Sequence, residues 1–359
     1  YLMPDVFNNF FAEFNKKPED YMDFVRLDPS YRVFFDEDDY VDISADLEKN
    51  LALFEELEPG AKEKMKEYLD KSKYEYDIAM KDFIYKDYKH LTDFFKPRLI
   101  VEGTKLHMFE KLDSYAQRYF KNQKIRQILE YTIVFLGGSP YDSPALYSLM
   151  SHVDFNMGVW FPKGGMGKLP EAMHKLAKEQ GVHFEFNQPV EQVMVENGKA
   201  TEVKTDHDTF SADHVVVNAD YAWAETQLLD KKYQTYSEKY WDKRKIAPSA
   251  YLLFLGLDKQ LKSFTHHNLY FHPQWDEHFD DIFKNPRWPD KFSYYISCIS
   301  KTDPTTAVEG GENVFVLIPV AAGLDDTEET REAYFNKTID HMEKLAGENI
   351  RDHILVKRI

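Results

Sequence analysis

The chain has 359 residues, a formal charge of −17, 43% hydrophobic residues and a 15% share of aromatics. So acidic a balance argues against nucleic acid as a partner, because phosphate binding needs a basic face. So much apolar material excludes disorder as a global description, and the length predicts two compact units, contiguous or interleaved.

The first predicted element is a helix over Pro4–Phe14, where Val6, Phe7, Phe10, Phe11 and Phe14 share one face. Three short β-prone runs follow at Phe24–Leu27, Tyr31–Phe35 and Tyr40–Ile43, punctuated by Asp-Pro and the acidic turn Asp36–Asp39. Ser44 is placed to cap a helix over Ala45–Leu57, Pro59-Gly60 ends it, and a longer helix runs from Ala61 towards Ile84. The stretch Lys81–His107 mixes Phe, Ile, Tyr and Leu with six Lys/Arg and four Asp/Glu, a local charge of +2 on an anionic chain. It reads either as a solvated helical face or as an amphipathic contact with a membrane surface. Another helix is expected from Lys111 to about Phe135, stopped by Gly137-Gly138, and a further one restarts at Ser143-Pro144.

Gly158 to Asp220 carries the densest set of local signals. A turn at Gly164, Gly165 and Gly167 feeds an amphipathic helix with Leu169, Met173, Leu176 and Ala177 at helical spacing, closed by Gly181. Strands are predicted at Val182–Phe186, Val190–Val195, Ala200–Lys204 and His214–Val217, with Asn197-Gly198 as a hairpin turn. A helix over Trp223–Leu229 comes next, and Asp220 stands either at a strand end lining a site or as the cap of that helix. From Pro248 the pattern turns to strands at Tyr251–Leu257, Asn268–Phe271, Phe292–Ile299 and Asn313–Val320, joined by polar loops. A last helix, Glu328–Leu345, ends at Gly347 before the strand-like Ile354–Val356. The whole reads as α+β, with a helical layer first, a meander in the middle and a mainly antiparallel sheet afterwards.

Few residues carry chemistry on their own. The glycine turn is not a complete GxGxxG fingerprint, since Pro170 occupies the last position. His266, His267 and His272 lack a carboxylate at ligand spacing, so a surface loop is expected there and no metal. The single Cys298 lies in an apolar run and is expected to be a buried, inert thiol; one cysteine points to a reducing, cytoplasmic compartment. Asp93 and Lys96, three apart, could serve proton transfer or form a surface ion pair. The 27 Phe, 23 Tyr and 5 Trp suit either an aromatic-rich core or a cavity for a large apolar ligand. No apolar run reaches the roughly 18–20 residues of a spanning helix, so a soluble or peripheral protein is expected. The opening Tyr1-Leu2-Met3-Pro4 and the strand-like end suggest that both ends are cut from a longer chain.

The runs Ser139–Tyr147 (SPYDSPALY) and Gly158–Gly165 (GVWFPKGG) resemble the bacterial carotenoid desaturases of the phytoene desaturase type. So do GVHFEFNQPVEQVMVENGKATEV, Asn218-Ala219-Asp220, Leu253–Leu257 (LFLGL) and Asn313–Val320 (NVFVLIPV), in collinear order through nearly the whole chain. The resemblance implies a fold like the flavin amine oxidases, with residues 158–225 as the middle segment of a discontinuous FAD-binding domain. Residues 1–157 and 226–359 would form the substrate domain. It implies FAD as cofactor, with Val190, Asn218, Ala219 and Asp220 beside it and Gly164, Gly165 and Met166 near the flavin and substrate tunnel. The family's flavin segments at either end are not among these residues. The proposed acid/base pair of the family falls on Asp93 and Lys96, with Lys in place of Arg, which loses the fork geometry. The implied reaction is hydride transfer from a carotenoid to flavin with loss of a proton, and reoxidation by a quinone or oxygen. The implied location is the inner face of the cell membrane, contacted through residues 81–107. A carotenoid isomerase or retinoid saturase on the same scaffold, or a cofactor-free lipid- or protein-binding module, remain the alternatives.

Overall fold

The computed structural model describes residues 1–90, 106–244 and 246–359. In chain order the longer helices are α1 (Pro4–Ala12), α2 (Leu47–Leu57), α3 (Ala61–Ile78), α4 (Leu112–Tyr119), α5 (Gln123–Glu130), α6 (Lys168–Glu179), α7 (Tyr221–Leu228), α8 (Trp275–Phe283) and α9 (Glu328–Ala346). The strands are β1 (Phe24–Arg26), β2 (Tyr31–Asp36), β3 (Asp39–Ile43), β4 (Trp160–Pro162), β5 (Val190–Glu196), β6 (Lys199–Thr205), β7 (Thr209–Ser211), β8 (Ser249–Leu257), β9 (His267–Tyr270), β10 (Tyr294–Ser297), β11 (Glu312–Val320) and β12 (Ile354–Arg358). Two units result: Tyr1–Ala172 with Ala247–Ile359, and Met173–Ile246.

The first unit is built on a seven-stranded sheet in the order β12-β8-β11-β10-β9-β2-β3, antiparallel except where β2 runs parallel to β9. Side chains alternate across it, as a two-residue period requires. Val33, Phe35, Leu269 and Phe271 enter a core shared with α2, α3 and α5. Phe34, Tyr270, Leu253, Leu255, Val314 and Val316 enter a second core against α9. Helix α9 buries Tyr334, Phe335, Thr338, Ile339, Met342 and Leu345 on one stripe, is capped by Thr327, and stops at Gly347 in a left-handed turn (φ 66°). Gly158 to Ala172 belongs to this unit, because β4 pairs with β1 (Val25 opposite Phe161).

The second unit is a three-stranded meander, β5-β6-β7, with Val193 packed on Ala224 and Leu228 of α7. Asn197 and Gly198 both have positive φ, as the tight hairpin requires.

Several expectations change. Asp46, not Ser44, caps α2, accepting from the Glu48 N–H; the Ser44 hydroxyl accepts from the Asp46 N–H and donates to Asp28. The helix from Ala61 stops at Ile78 and continues as a wider π turn to Ile84. The expected helix Lys111–Phe135 breaks after Tyr119. There the Glu58 carboxylate takes the N–H groups of Lys121 and Asn122, and Asn122 caps a new start. Neither Val182–Phe186 nor His214–Val217 is a strand. Both runs lack a pairing partner among the described residues and leave Phe186 and Val216 exposed. Trp275–Phe283, expected as loop, is helical.

Candidate functional site

A cavity of about 580 Å³ lies on the face of the sheet opposite α9. Its floor is the outward side of β9, β10 and β11, through Leu269, Tyr295, Leu317 and Pro319. One wall is the 3-10 turn Tyr131–Leu136, which Gly137 ends in a left-handed conformation (φ 72°). The other is α8, whose Trp275, His278, Phe279 and Ile282 recur at helical spacing and face inwards. The rings interlock: Tyr131 to Phe271 at 5.9 Å, Phe271 to Trp275 at 4.9 Å, Trp275 to Phe279 at 5.2 Å between centroids. Tilted and edge-on aromatic packing of this kind makes a stiff, apolar wall.

The polar groups around the cavity are turned away or tied down. His278 accepts the Ser293 N–H at Nδ1 and donates from Nε2 to the Pro319 carbonyl, so it is a neutral tautomer. Burial pushes its pKa down to about 4. The Tyr295 hydroxyl meets His267 Nδ1 at 2.5 Å, and burial holds that imidazole neutral as well. Behind the Tyr131 ring its hydroxyl donates to Asp154 Oδ2 at 3.3 Å, and Tyr31 donates to the same oxygen at 2.5 Å. Asp154 is fully enclosed; desolvation pushes its carboxyl up to about 7 against the pull of the two tyrosines. The lining is almost wholly apolar, and the Asp154 carboxyl lies behind it, on the Tyr131 hydroxyl.

The residues expected from sequence lie elsewhere. Asp93 and Lys96 fall outside the described residues, as does most of the 81–107 patch. Gly164 and Gly165 form a left-handed turn in the first unit (φ 87° and 93°), held by Gly164 N–H to Asp303 Oδ2 at 2.6 Å, and Met166 is exposed. In the second unit Val190 opens β5, paired with Thr205 and exposed, while Asn218, Ala219 and Asp220 form the approach to α7. Asp220 caps α7, its Oδ1 accepting from the Trp223 N–H at 2.8 Å. Replacing it with Ala should lower stability by about 1 kcal/mol, read by denaturant midpoint. Among the described residues no hydrogen bond reaches the backbone of residues 214–219, and Val216 is 92% exposed.

His266 and His267 are not in a surface loop: His266 is buried, its Nδ1 at 2.6 Å from the Thr302 hydroxyl, and His267 opens β9 half-buried. Cys298 is buried, and desolvation pushes its thiol well up. Among the described residues no helix is long and apolar enough to cross a membrane. The cavity residues were not singled out from sequence. The i, i+3, i+4, i+7 spacing of Trp275, His278, Phe279 and Ile282 in WDEHFDDIF was the available signal.

Residues 8–358 match the family of flavin containing amine oxidoreductases. The chain is 43% identical to a carotenoid 3,4-desaturase from Haloarcula japonica over its whole length and 72% of that protein. It is 32% identical to a zeta-carotene-forming phytoene desaturase from Myxococcus xanthus, over 89% of the chain and 61% of that protein. In fold it is similar to an oxidoreductase from Methanosarcina mazei (TM-score 0.58, 14% identity, 98% of this chain and 72% of that one). The chain belongs to the flavin containing amine oxidoreductases, in the branch that holds the carotenoid desaturases. Membership implies a flavin as the redox group.

Proposed function

We propose that the protein desaturates a carotenoid with FAD as its oxidant, and that the aromatic cavity seats part of the polyene. The observation that carries this reading is the cavity itself: a space walled by stiff rings, in a chain 43% identical to a carotenoid 3,4-desaturase. A bound flavin supplies a two-electron acceptor for hydride. The chain's own part is to align a long rigid substrate, exclude water and dispose of a proton. Val190 and Asn218–Asp220 would touch the cofactor through their open backbone, and Gly164–Met166 would border the flavin end of the tunnel. The unit Met173–Ile246 is then part of the flavin-binding domain and the larger unit the substrate domain. Asp93 and Lys96 are proposed as an acid/base pair, with quinone or oxygen reoxidising the flavin.

A peripheral membrane contact on the cytoplasmic side is part of the same reading. Ile84 and Tyr85 within the patch are exposed, and Phe109 just after it is 95% exposed, which suits insertion among lipid headgroups. The deciding experiment expresses the full-length protein in cells that accumulate acyclic or monocyclic carotenes and counts double bonds in the pigments. A product with an extended chromophore is expected. Pigments with an unchanged number of double bonds would overturn the reading, and a changed cis/trans pattern alone would assign an isomerase.

A further inference from the structure

The cavity wall Tyr131–Leu136 is a six-residue 3-10 run. Runs of this kind longer than about four residues are uncommon, because their hydrogen bonds are poorly aligned. The wall is buried at its start, through Tyr131, Thr132 and Ile133, but Phe135 and Leu136 at its end are more than half exposed. Among the described residues its side chains hydrogen-bond only through the Tyr131 hydroxyl, and the buried Thr132 hydroxyl has no partner. That Tyr131 hydroxyl donates to Asp154 Oδ2, and Tyr31 of β2 donates to the same oxygen, with the two rings 5.3 Å apart between centroids. Asp154 is itself firmly seated. Val153 and Phe155 on either side of it are buried, and the Phe155 ring packs edge-on to Phe54 of α2 at 5.7 Å. The carboxyl therefore ties the wall to β2 and to the core beneath α2. Burying a carboxyl is costly, and an apolar side chain would fill the same space. What the carboxyl adds is a fixed place for two hydroxyls.

We infer that Asp154 is a positioning residue for the cavity: through the Tyr131 hydroxyl it holds the wall Tyr131–Leu136 where the polyene lies against it, and so sets how tightly the polyene binds. Asp154 touches no substrate and moves no proton of the reaction. The inference rests on the desaturation reading, which supplies the ligand. A rigid conjugated chain cannot follow a wall that retreats. Dispersion contacts fade steeply with distance, and a gap of about 0.5–1 Å forfeits roughly a quarter to a half of each one. The opposite wall, α8, is stiffened by its own helical hydrogen bonds and by the contact of Trp275 with Phe279. The 3-10 run has no such reserve, so its place is decided at Tyr131. Without the carboxyl, two buried hydroxyls lack their acceptor, and each moves towards another partner and takes its ring along. The Tyr131 ring lies 5.5 Å from Phe135 and 5.9 Å from Phe271, so its displacement is passed to the exposed end of the wall and to the lining.

The test uses the full-length flavin-loaded enzyme and the variants Asp154→Ala, Asp154→Asn, Tyr131→Phe and Asp154→Ala with Tyr131→Phe. Without ligand, amide hydrogen exchange of residues 131–138 should be about 10-fold faster in Asp154→Ala and in Tyr131→Phe than in wild type, while β10 and β11 change far less. Lycopene dispersed in detergent, an acyclic polyene, is the binding probe, read by the red shift of its visible bands. Its Kd should rise about 10-fold in both single variants. KM for the carotene that is desaturated should rise with it, while kcat stays within about threefold of wild type. Asp154→Asn still offers an oxygen to both tyrosines and should recover most of the affinity. The double variant should bind no more weakly than Asp154→Ala alone, because both changes cut the same tie. Unchanged exchange or an unchanged Kd in Tyr131→Phe, or additive losses in the double variant, overturns the inference. If Asp154→Ala does not fold, Tyr131→Phe decides by the same two readings. If the wild type neither binds the polyene nor forms a double bond, the functional reading falls, while the exchange result still judges the tie.

Discussion

Ala250→Trp is expected to lower carotenoid desaturation by at least about 100-fold while the protein stays folded and keeps its flavin. Ala250 stands near the start of β8, where its small side chain borders the cavity without filling it. An indole there occupies space that a rigid polyene needs, and a conjugated chain cannot bend around it. Two decades of rate correspond to roughly 3 kcal/mol of lost transition-state binding, a modest price for blocking a tunnel. The strand is anchored on its other side by Tyr251, Leu253 and Leu255 in the core against α9, so the fold tolerates the change. Product profiles, flavin absorbance and melting temperature, measured together, check it. Unimpaired turnover with a normal flavin content would place the substrate elsewhere.

The second large effect is on stability and runs with pH. Asp154 has an ordinary carboxyl pKa of 3.8 when unfolded and about 7 when buried. Between those values the folded chain keeps a proton that the unfolded chain has lost, so stability falls as pH rises through that window. The loss is complete above pH 7 and amounts to about 4 kcal/mol at 1.36 kcal/mol per unit. Glu75, pushed up to about 8 by the same desolvation, adds to the fall in the same direction and extends it to higher pH. Asp154→Asn removes the ionisation and keeps an oxygen for Tyr31 and Tyr131. It should therefore be more stable than wild type at alkaline pH and nearly equal to it at acid pH. Denaturant midpoints across the range decide; parallel curves for wild type and variant would show that Asp154 does not titrate in the fold.

Much of the architecture was legible because its signals are local. The alternation in β8 and β11, the stripe of α9 and its terminal glycine, and the Asn197-Gly198 turn each contain their own explanation. What escaped depended on distant partners. The break before α5 comes from Glu58, far back in the chain, claiming two backbone N–H groups. Val182–Phe186 and His214–Val217 have strand-like composition but find no neighbour among the described residues, and composition alone does not make a ladder. His266 and His267 looked like loop residues because nothing in their sequence says that Phe161 packs at 4.6 Å from one and Tyr295 bonds the other. The site was hidden for a similar reason. Cavity aromatics look like core aromatics until the floor and the two walls are assembled from separate segments of the chain. Asp154 is invisible as a special carboxyl until Tyr31 and Tyr131 close over it.

The single parallel pairing in the sheet, β2 against β9, has a consequence for how the protein is made. Arg32, Val33 and Phe34 align with Asn268, Leu269 and Tyr270, so an early strand must wait for one that comes much later in the chain. Such long-range closure slows folding and leaves β2 and β3 with an open edge during translation. Val33, Phe34 and Phe35, all buried in the finished sheet, are then the segment most in need of chaperone cover. Low-temperature expression should raise soluble yield more for this protein than for one whose sheet closes among neighbouring strands.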